Sequence, residues 1–304
     1  MPVAPEIAGL LDTMAASGNP ELYELPVPDA RAATDALIPL AGEGADIASQ
    51  VEREIGGVPS VVYTPHGDGP FPVLVFIHGG GWVINEPKHY HAVCQELAAG
   101  AGCVVVSLDY RLAPEHKAPA ASHDSIAAVG WVLDHAAEIG GDGGRVAVGG
   151  DSAGGNLSAV AAQRFGKRLA GQLLIYPAVD MTASFPSIEE NAEGLFLTKR
   201  HMEWFMGHYL DESGIDTTDP IVSPLYASDD VLASTAPAFV LTAEFDPLRD
   251  EGEAYAAKLD SLGVPTSVKR YDGTIHAFYV MKLVTPTAGE AIDDSIEFLR
   301  ESFA

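Results

Sequence analysis

The stretch Arg145–Asn156, RVAVGGDSAGGN, decides the fold. A short β-branched run (Val146, Val148) leads into Gly150-Asp151-Ser152-Ala153-Gly154, and an Ala-rich helical pattern begins at once. That order is strand, sharp turn, helix, with a serine at the apex. The G-x-S-x-G spacing has a steric cause. A serine in a strained turn needs glycines two residues to either side so that strand and helix can pass closely. Its hydroxyl then faces outward at a helix N-terminus, where backbone N–H groups favour negative charge. Taken alone, the pattern also fits a glycine-rich strand-to-helix turn with no nucleophile.

A second stretch narrows the choice. Phe71–Ile77 (FPVLVFI) reads as a buried strand, and His78-Gly79-Gly80-Gly81-Trp82 follows directly. Three consecutive glycines leave backbone N–H groups that no side chain crowds. Acyl transfer needs such donors, because the attacked carbonyl oxygen becomes an oxyanion. An HGGG-type loop supplies them in α/β-hydrolases, together with the N–H of the residue after the nucleophile, here Ala153. A phosphate-cradling Walker loop is excluded, since no Lys-Ser/Thr follows the glycines.

A nucleophilic serine needs a base, and the base an orienting acid. Three histidines follow Ser152: His201, His208 and His276. The first two lie on an amphipathic pattern, TKRHMEWFMGHYLDE, and read as helix-surface residues. His276, in YDGTIHAF, lies between a strand-like run and a late helix, in a turn from which a histidine can reach a serine. The hydrolase order Ser, acid, His places the acid between 152 and 276. Asp246 is the best placed, directly after the strand AFVLTA (238–243) and before Pro247. Glu244, Asp250 and Glu251 compete; the last two fall in a first helical turn, where acids complement the dipole.

At this point the chain resembles the bacterial esterases of the hormone-sensitive-lipase family (family IV), from about Phe71 to Phe278. The blocks are HGGGW at 78–82, DYRLAPE at 109–115, GDSAGGN at 150–156, YP at 176–177, DPLRDEG at 246–252 and the His276 turn. The resemblance implies Ser152 as nucleophile, Asp246 as acid and His276 as base. It implies an oxyanion hole of Gly80, Gly81 and Ala153, and no cofactor. Family members often dimerise through the sheet edge and last helix, so a homodimer is an expectation of the same kind. One departure stands out: the chain reads His276-Ala277-Phe278 where the family usually has glycine in the middle. DYRLAPE reads as scaffold, with Arg111 and Glu115 tying loops together and Tyr110 near the pocket.

Composition bounds the alternatives. The chain has 304 residues, 47% of them hydrophobic, which suits one large α/β domain with a sizeable core. Net charge is −26, from 43 acids against 17 bases, which opposes binding to nucleic acid or anionic membranes. The acids are spread along the chain, as on the solvated surfaces of proteins from salty habitats. No apolar run approaches the ~20 residues of a membrane span. The N-terminus lacks a basic n-region, so a cytoplasmic location is expected. Cys94 and Cys103 read as buried thiols, without C-x-x-C or zinc spacing. His89 and His91, in KHYH, read as a helix start without acidic partners, so no metal site is expected.

Val51–Ile55 and Val58–Tyr63, joined by Gly56-Gly57, predict a hairpin. Strands at 71–77, 103–109, 145–149, 171–176, 237–243 and 266–272 then alternate with helices around 89–99, 122–138, 153–165, 250–262 and 288–302. This alternation predicts a mostly parallel twisted sheet with helices on both faces, the α/β-hydrolase fold. Helical patterns also cover Ile7–Ala16 and Pro28–Ala41. Asp180–Ala227 breaks the alternation. With the first 45 residues it is expected to form a helical cap over a core of about 46–179 and 228–304. Glu203, Trp204 and Phe205 in it either line the pocket or pack the cap. The expected chemistry is hydrolysis of small short-chain esters. A related acyl-transfer enzyme (lactonase, amidase or transacylase) remains a rival. So, less strongly, does a ligand-binding receptor of the gibberellin-receptor kind, which resembles this family but lacks the histidine.

Overall fold

The protein, a computed structural model, is described over residues 2–304. Eight strands make one sheet: β1 (Ser49–Ile55), β2 (Val58–Thr64), β3 (Phe71–Ile77), β4 (Val104–Leu108), β5 (Gly141–Asp151), β6 (Gly171–Ile175), β7 (Ala238–Phe245) and β8 (Thr266–Ile275). They lie in the order β1-β2-β4-β3-β5-β6-β7-β8. The hairpin partner β2 runs against its neighbours β1 and β4, and every other pairing is parallel. The helices are α1 (Pro5–Ser17), α2 (Val27–Ala33), α3 (His91–Ala101), α4 (Ala120–His135), α5 (Ala153–Phe165), α6 (Pro186–Glu190), α7 (Lys199–Leu210), α8 (Asp229–Ala233), α9 (Arg249–Ser261) and α10 (Pro286–Ser302).

The apolar run FPVLVFI is explained by burial on both faces. Side chains alternate across a strand. Val73, Val75 and Ile77 therefore pack with Val129 of α4 and Leu157 of α5. Leu74 and Phe76 pack on the opposite face with Leu97 of α3 and Ile292 of α10. A strand covered on both sides has no solvent face and needs no polar residues.

The glycines of the turn at Ser152 meet the steric requirement read from their spacing. Ser152 sits at φ 55°, in a region L-residues rarely adopt. A Cβ on Gly154 would lie 1.9 Å from the carbonyl oxygen of Ile77, and one on Gly150 would lie 2.2 Å from the same atom. The end of β3 thus passes through the gap these two glycines leave.

Some boundaries differ from expectation. β5 and β8 run longer than 145–149 and 266–272, so β8 delivers the chain directly to His276. The pattern Pro28–Ala41 is α-helical over Val27–Ala33 and tightens into a 3₁₀ helix over Thr34–Ala41. Pro39 lies in that second part and has no N–H to donate to an α-type ladder. No helix among the described residues is long and apolar enough to cross a membrane.

Candidate active site

The carboxyl ends of four parallel strands converge. β3 leads to His78, β5 to Ser152, β7 to Asp246 and β8 to His276. Such strand ends, where loops splay apart, are the usual site of open α/β sheets. Ser152 Oγ lies 3.0 Å from His276 Nε2, and His276 Nδ1 lies 2.7 Å from Asp246 Oδ2. A carboxylate only accepts hydrogen bonds, so Nδ1 carries the proton and Nε2 is left to accept from the serine hydroxyl. Asp246 is fully buried, and its Oδ1 accepts the N–H of Leu248 at 2.9 Å. Asn191 Nδ2 holds the Asp246 backbone carbonyl at 3.2 Å. The Tyr176 ring, at 4.6 Å from the imidazole, backs His276 from behind.

The rival acids are engaged elsewhere. Glu244 accepts the Gly273 N–H, and Asp250 pairs with Arg249 while accepting the Ser187 N–H. Glu251 accepts the N–H groups of Val179 and Asp180. His276 meets Asp246 alone because Asp246 sits in the turn that leaves β7, the strand beside β8.

The glycine loop is anchored from the turn that carries Ser152. Gly79 N–H donates to Asp151 Oδ1 at 2.7 Å, and the Tyr90 hydroxyl donates to Asp151 Oδ2 at 3.0 Å. Burial pushes the Asp151 carboxyl up to about 6, against the pull of those two donors. Asp151 is part of the GDSAGG motif, yet motif reading leaves it without a role; its partner Tyr90 lies far off in sequence. The N–H groups of Gly80 and Gly81 make no hydrogen bond among the described residues and lie beside Ser152 in the wall of one cavity. Ala153, in the same wall, opens α5 and has no preceding turn to receive its N–H. His78 points away: it is buried, stacks on Tyr110 at 4.4 Å, and burial holds it down at about 4, hence neutral.

This cavity measures about 140 Å³. Its far wall comes from distant segments: Leu22, Leu37 and Ile38 near the N-terminus, and Met202, Phe205 and Met206 of α7. Phe205 lies so close over the loop that a Cβ on Gly81 would come within 2.2 Å of its ring. Of the three residues left open between lining and packing, Phe205 lines the cavity. Glu203 is exposed, and Trp204 packs edge-on against Phe205 and His208.

Two expectations are corrected. His201 is no surface residue: it is 5% exposed, lines the cavity and bonds Thr198 through Nδ1. Burial holds it near 4, so it is neutral. The cause is non-local, since Tyr23 and Glu21 of the N-terminal segment cover it. His89 likewise has an acidic partner that local reading cannot show. Its Nε2 lies 3.1 Å from Asp35 Oδ1, and Glu86 completes a group with metal-ligand spacing. Lys88 Nζ already bridges Asp35 and Glu86, at 2.9 and 2.6 Å, so an ammonium balances those carboxylates. The scaffold reading of DYRLAPE agrees with the contacts. Arg111 pairs with Asp124, and Glu115 receives Arg31 of α2. Tyr110 lies behind the loop, donating to the His78 carbonyl. Cys94 and Cys103 are buried free thiols.

Comparison with known proteins agrees with this architecture. Residues 74–280 match the family described as alpha/beta hydrolase fold. Carboxylic ester hydrolase LipN of Mycobacterium tuberculosis (strain ATCC 25618 / H37Rv) is 46% identical over 232 residues, covering 73% of this chain. That match spans only 61% of LipN's own length. The arylesterase of Saccharolobus solfataricus is 33% identical over 288 residues, covering 91% of this chain and 92% of the relative. Among solved structures, an alpha/beta hydrolase enzyme from the metagenome of Lake Arreo superposes with a TM-score of 0.94 at 38% identity, covering 99% and 98% of the two chains. The hyperthermophilic esterase of Pyrobaculum calidifontis gives 0.91 at 37% identity, covering 99% of each chain. The chain therefore belongs to the alpha/beta hydrolase fold family, in the hormone-sensitive-lipase-like (family IV) branch with bacterial carboxylesterases as relatives.

Proposed function

We propose that this protein is a carboxylic ester hydrolase that works through an acyl-enzyme on Ser152. The observation that carries the reading is the hydrogen-bonded line Ser152–His276–Asp246 at 3.0 and 2.7 Å, facing a cavity with unpaired glycine N–H groups. In this reading His276 Nε2 takes the Ser152 proton as Oγ attacks the ester carbonyl. Asp246 holds the imidazole tautomer and steadies the imidazolium. The N–H groups of Gly80, Gly81 and Ala153 receive the oxyanion. His276 then protonates the leaving alcohol, and a water molecule, activated by the same nitrogen, releases the acid.

Residues 1–45 and 180–227 act as the cap of this single-domain enzyme. They supply Leu22, Leu37 and Ile38 on one side and Met202 and Phe205 on the other. A cavity of about 140 Å³ fits short acyl chains: each methylene adds ~0.8 kcal/mol only while wall remains to receive it. Fold and site are shared by lactonases and amidases, so the decisive test is a substrate panel. p-Nitrophenyl esters from acetate to palmitate, lactones and anilides are compared on wild type and Ser152→Ala. The expected result is fastest turnover of esters with two to six acyl carbons, lost in the variant. Faster turnover of anilides or lactones would reassign the chemistry, and fastest turnover of palmitate would make the protein a lipase.

A further inference from the structure

The turn between β7 and α9 is Asp246-Pro247-Leu248, and the chain that leaves β6 grips it. β6 lies beside β7, so the segment that continues from it runs past the acid. Asp180 bends that segment: its Oδ1 accepts the Thr182 N–H at 2.8 Å and its Oδ2 the Ser184 hydroxyl at 2.9 Å. The bend brings α6 onto the turn. Ser187 Oγ donates to the Pro247 carbonyl at 2.6 Å and accepts the Asp250 N–H at 3.2 Å. Ser187 N–H donates to Asp250 Oδ2 at 2.9 Å. Asn191 Nδ2 donates to the Asp246 carbonyl at 3.2 Å and to the Ser187 carbonyl at 3.1 Å. Glu251 fastens the start of the same segment, accepting the N–H groups of Val179 and Asp180. Ser187 and Asn191 are both buried, and neither lines the cavity.

These bonds answer a weakness of the turn. Pro247 has no N–H by which the turn could be held. The Leu248 N–H on Asp246 Oδ1 and the Arg249 N–H on the Asp246 carbonyl both lie within the turn or at its edge, so they move with it. Bonds from α6 instead fix where the turn stands relative to β8. We propose that Ser187 and Asn191 are positioning residues for the triad acid. They set the turn that aims Asp246 Oδ2 at His276 Nδ1, although they belong to the cap segment and touch neither substrate nor imidazole. This rests on the ester-hydrolase reading and deepens it. A misplacement of about 1 Å at a reacting group can cost about 10²-fold in rate, so loosening the turn should be felt at Ser152.

A double-mutant cycle on p-nitrophenyl acetate tests the inference. Ser187→Ala and Asn191→Ala are made in wild type and in Asp246→Ala, which has no carboxylate left to aim. In wild type each should lower kcat about tenfold with KM held within about twofold, because the loss falls on the transition state rather than on binding. Asp246→Ala should itself be roughly 10⁴-fold slower, and in it the same changes should cost less than about twofold. If Asn191→Ala does not fold, Ser187→Ala, which removes a single oxygen, decides. An equal loss in both backgrounds is damage that does not pass through the acid, and it overturns the proposal. So does a kcat that neither substitution changes, or a rise in KM alone. Asp246→Ala as active as wild type would remove the acid, and the proposal with it, while ester hydrolysis stands. If wild type does not hydrolyse the ester, or Ser152→Ala matches it, the ester-hydrolase reading has failed instead.

Discussion

The two walls of the cavity are built differently. The back wall is the sheet: Ser152, Asp246 and His276 leave β5, β7 and β8 directly, and each is held by short backbone or carboxylate bonds. The front wall is borrowed from segments that touch the sheet little, Leu22–Leu40 and Phe196–Met206. It is tied down by a few side chains. Arg31 reaches Val83 O, Ala113 O and Glu115, and His89 reaches Thr34. Chemistry needs groups fixed to fractions of an ångström, which a ladder of parallel strands provides. Substrate choice needs only shape, which an apolar wall with few constraints can vary. The comparison therefore predicts that back-wall changes abolish turnover or alter stability, while front-wall changes shift selectivity.

The largest effect belongs to the back wall. Ser152→Ala and His276→Ala should each lower ester turnover by about 10⁴-fold or more, with circular dichroism melts nearly unchanged. The double variant should be little worse, because the groups act as a unit. Retention of a tenth of the activity in either variant breaks the assignment. Asp246→Asn should cost roughly 10⁴-fold in kcat through the wrong tautomer.

Asp151 sharpens the comparison through pH. Its carboxyl is held up at about 6 in the folded protein, above its ordinary value. A raised carboxyl binds its proton more tightly when folded, so its contribution to stability is full below pH ~4 and lost as pH rises through ~6. Asp151→Asn lacks this loss. Between pH 4 and 7 the stability of the variant relative to wild type should therefore rise by about 2–3 kcal/mol in denaturant titrations. A difference that stays level across that range would remove the proton from the account.

A smaller effect is expected from the front wall. Phe205→Leu opens space above Gly81 and should favour longer acyl chains, with relative kcat/KM gaining about fourfold for each added methylene the space accepts. kcat on acetate should hardly move. A variant that loses acetate turnover as severely as the serine variant would show that the two walls are not separable.

The smallest effect sits at the junction. Ala277 takes φ 67°, a left-handed conformation disfavoured for residues with a Cβ and open to glycine, the residue the family resemblance led one to expect there. Ala277→Gly should relieve strain and raise stability by about 0.5–1 kcal/mol, net of glycine's greater freedom when unfolded. Thermal melts check this. A destabilised variant would mean that the methyl group contributes packing worth more than the strain.

Sequence by itself determined what depends on local rules. Strand and helix alternation follows from side-chain periodicity, and the turns at 78–82 and 150–154 follow from where a Cβ cannot fit. The order Ser, acid, His left one plausible histidine and four acids. In the tertiary structure it is Asp246, leaving the strand next to β8, that bonds His276. The same structure also buried His201 under a segment far earlier in the chain, joined His89 to Asp35, and set Asp151 beneath the glycine loop. Glu251 carries the clearest form of the lesson. In sequence it is one more acid in a first helical turn, where a dipole explains it. In the fold it is fully buried, and its Oε1 accepts the N–H groups of Val179 and Asp180, which arrive from far earlier in the chain. Burial and pairing depend on which distant segments arrive at a site, and no local pattern encodes that.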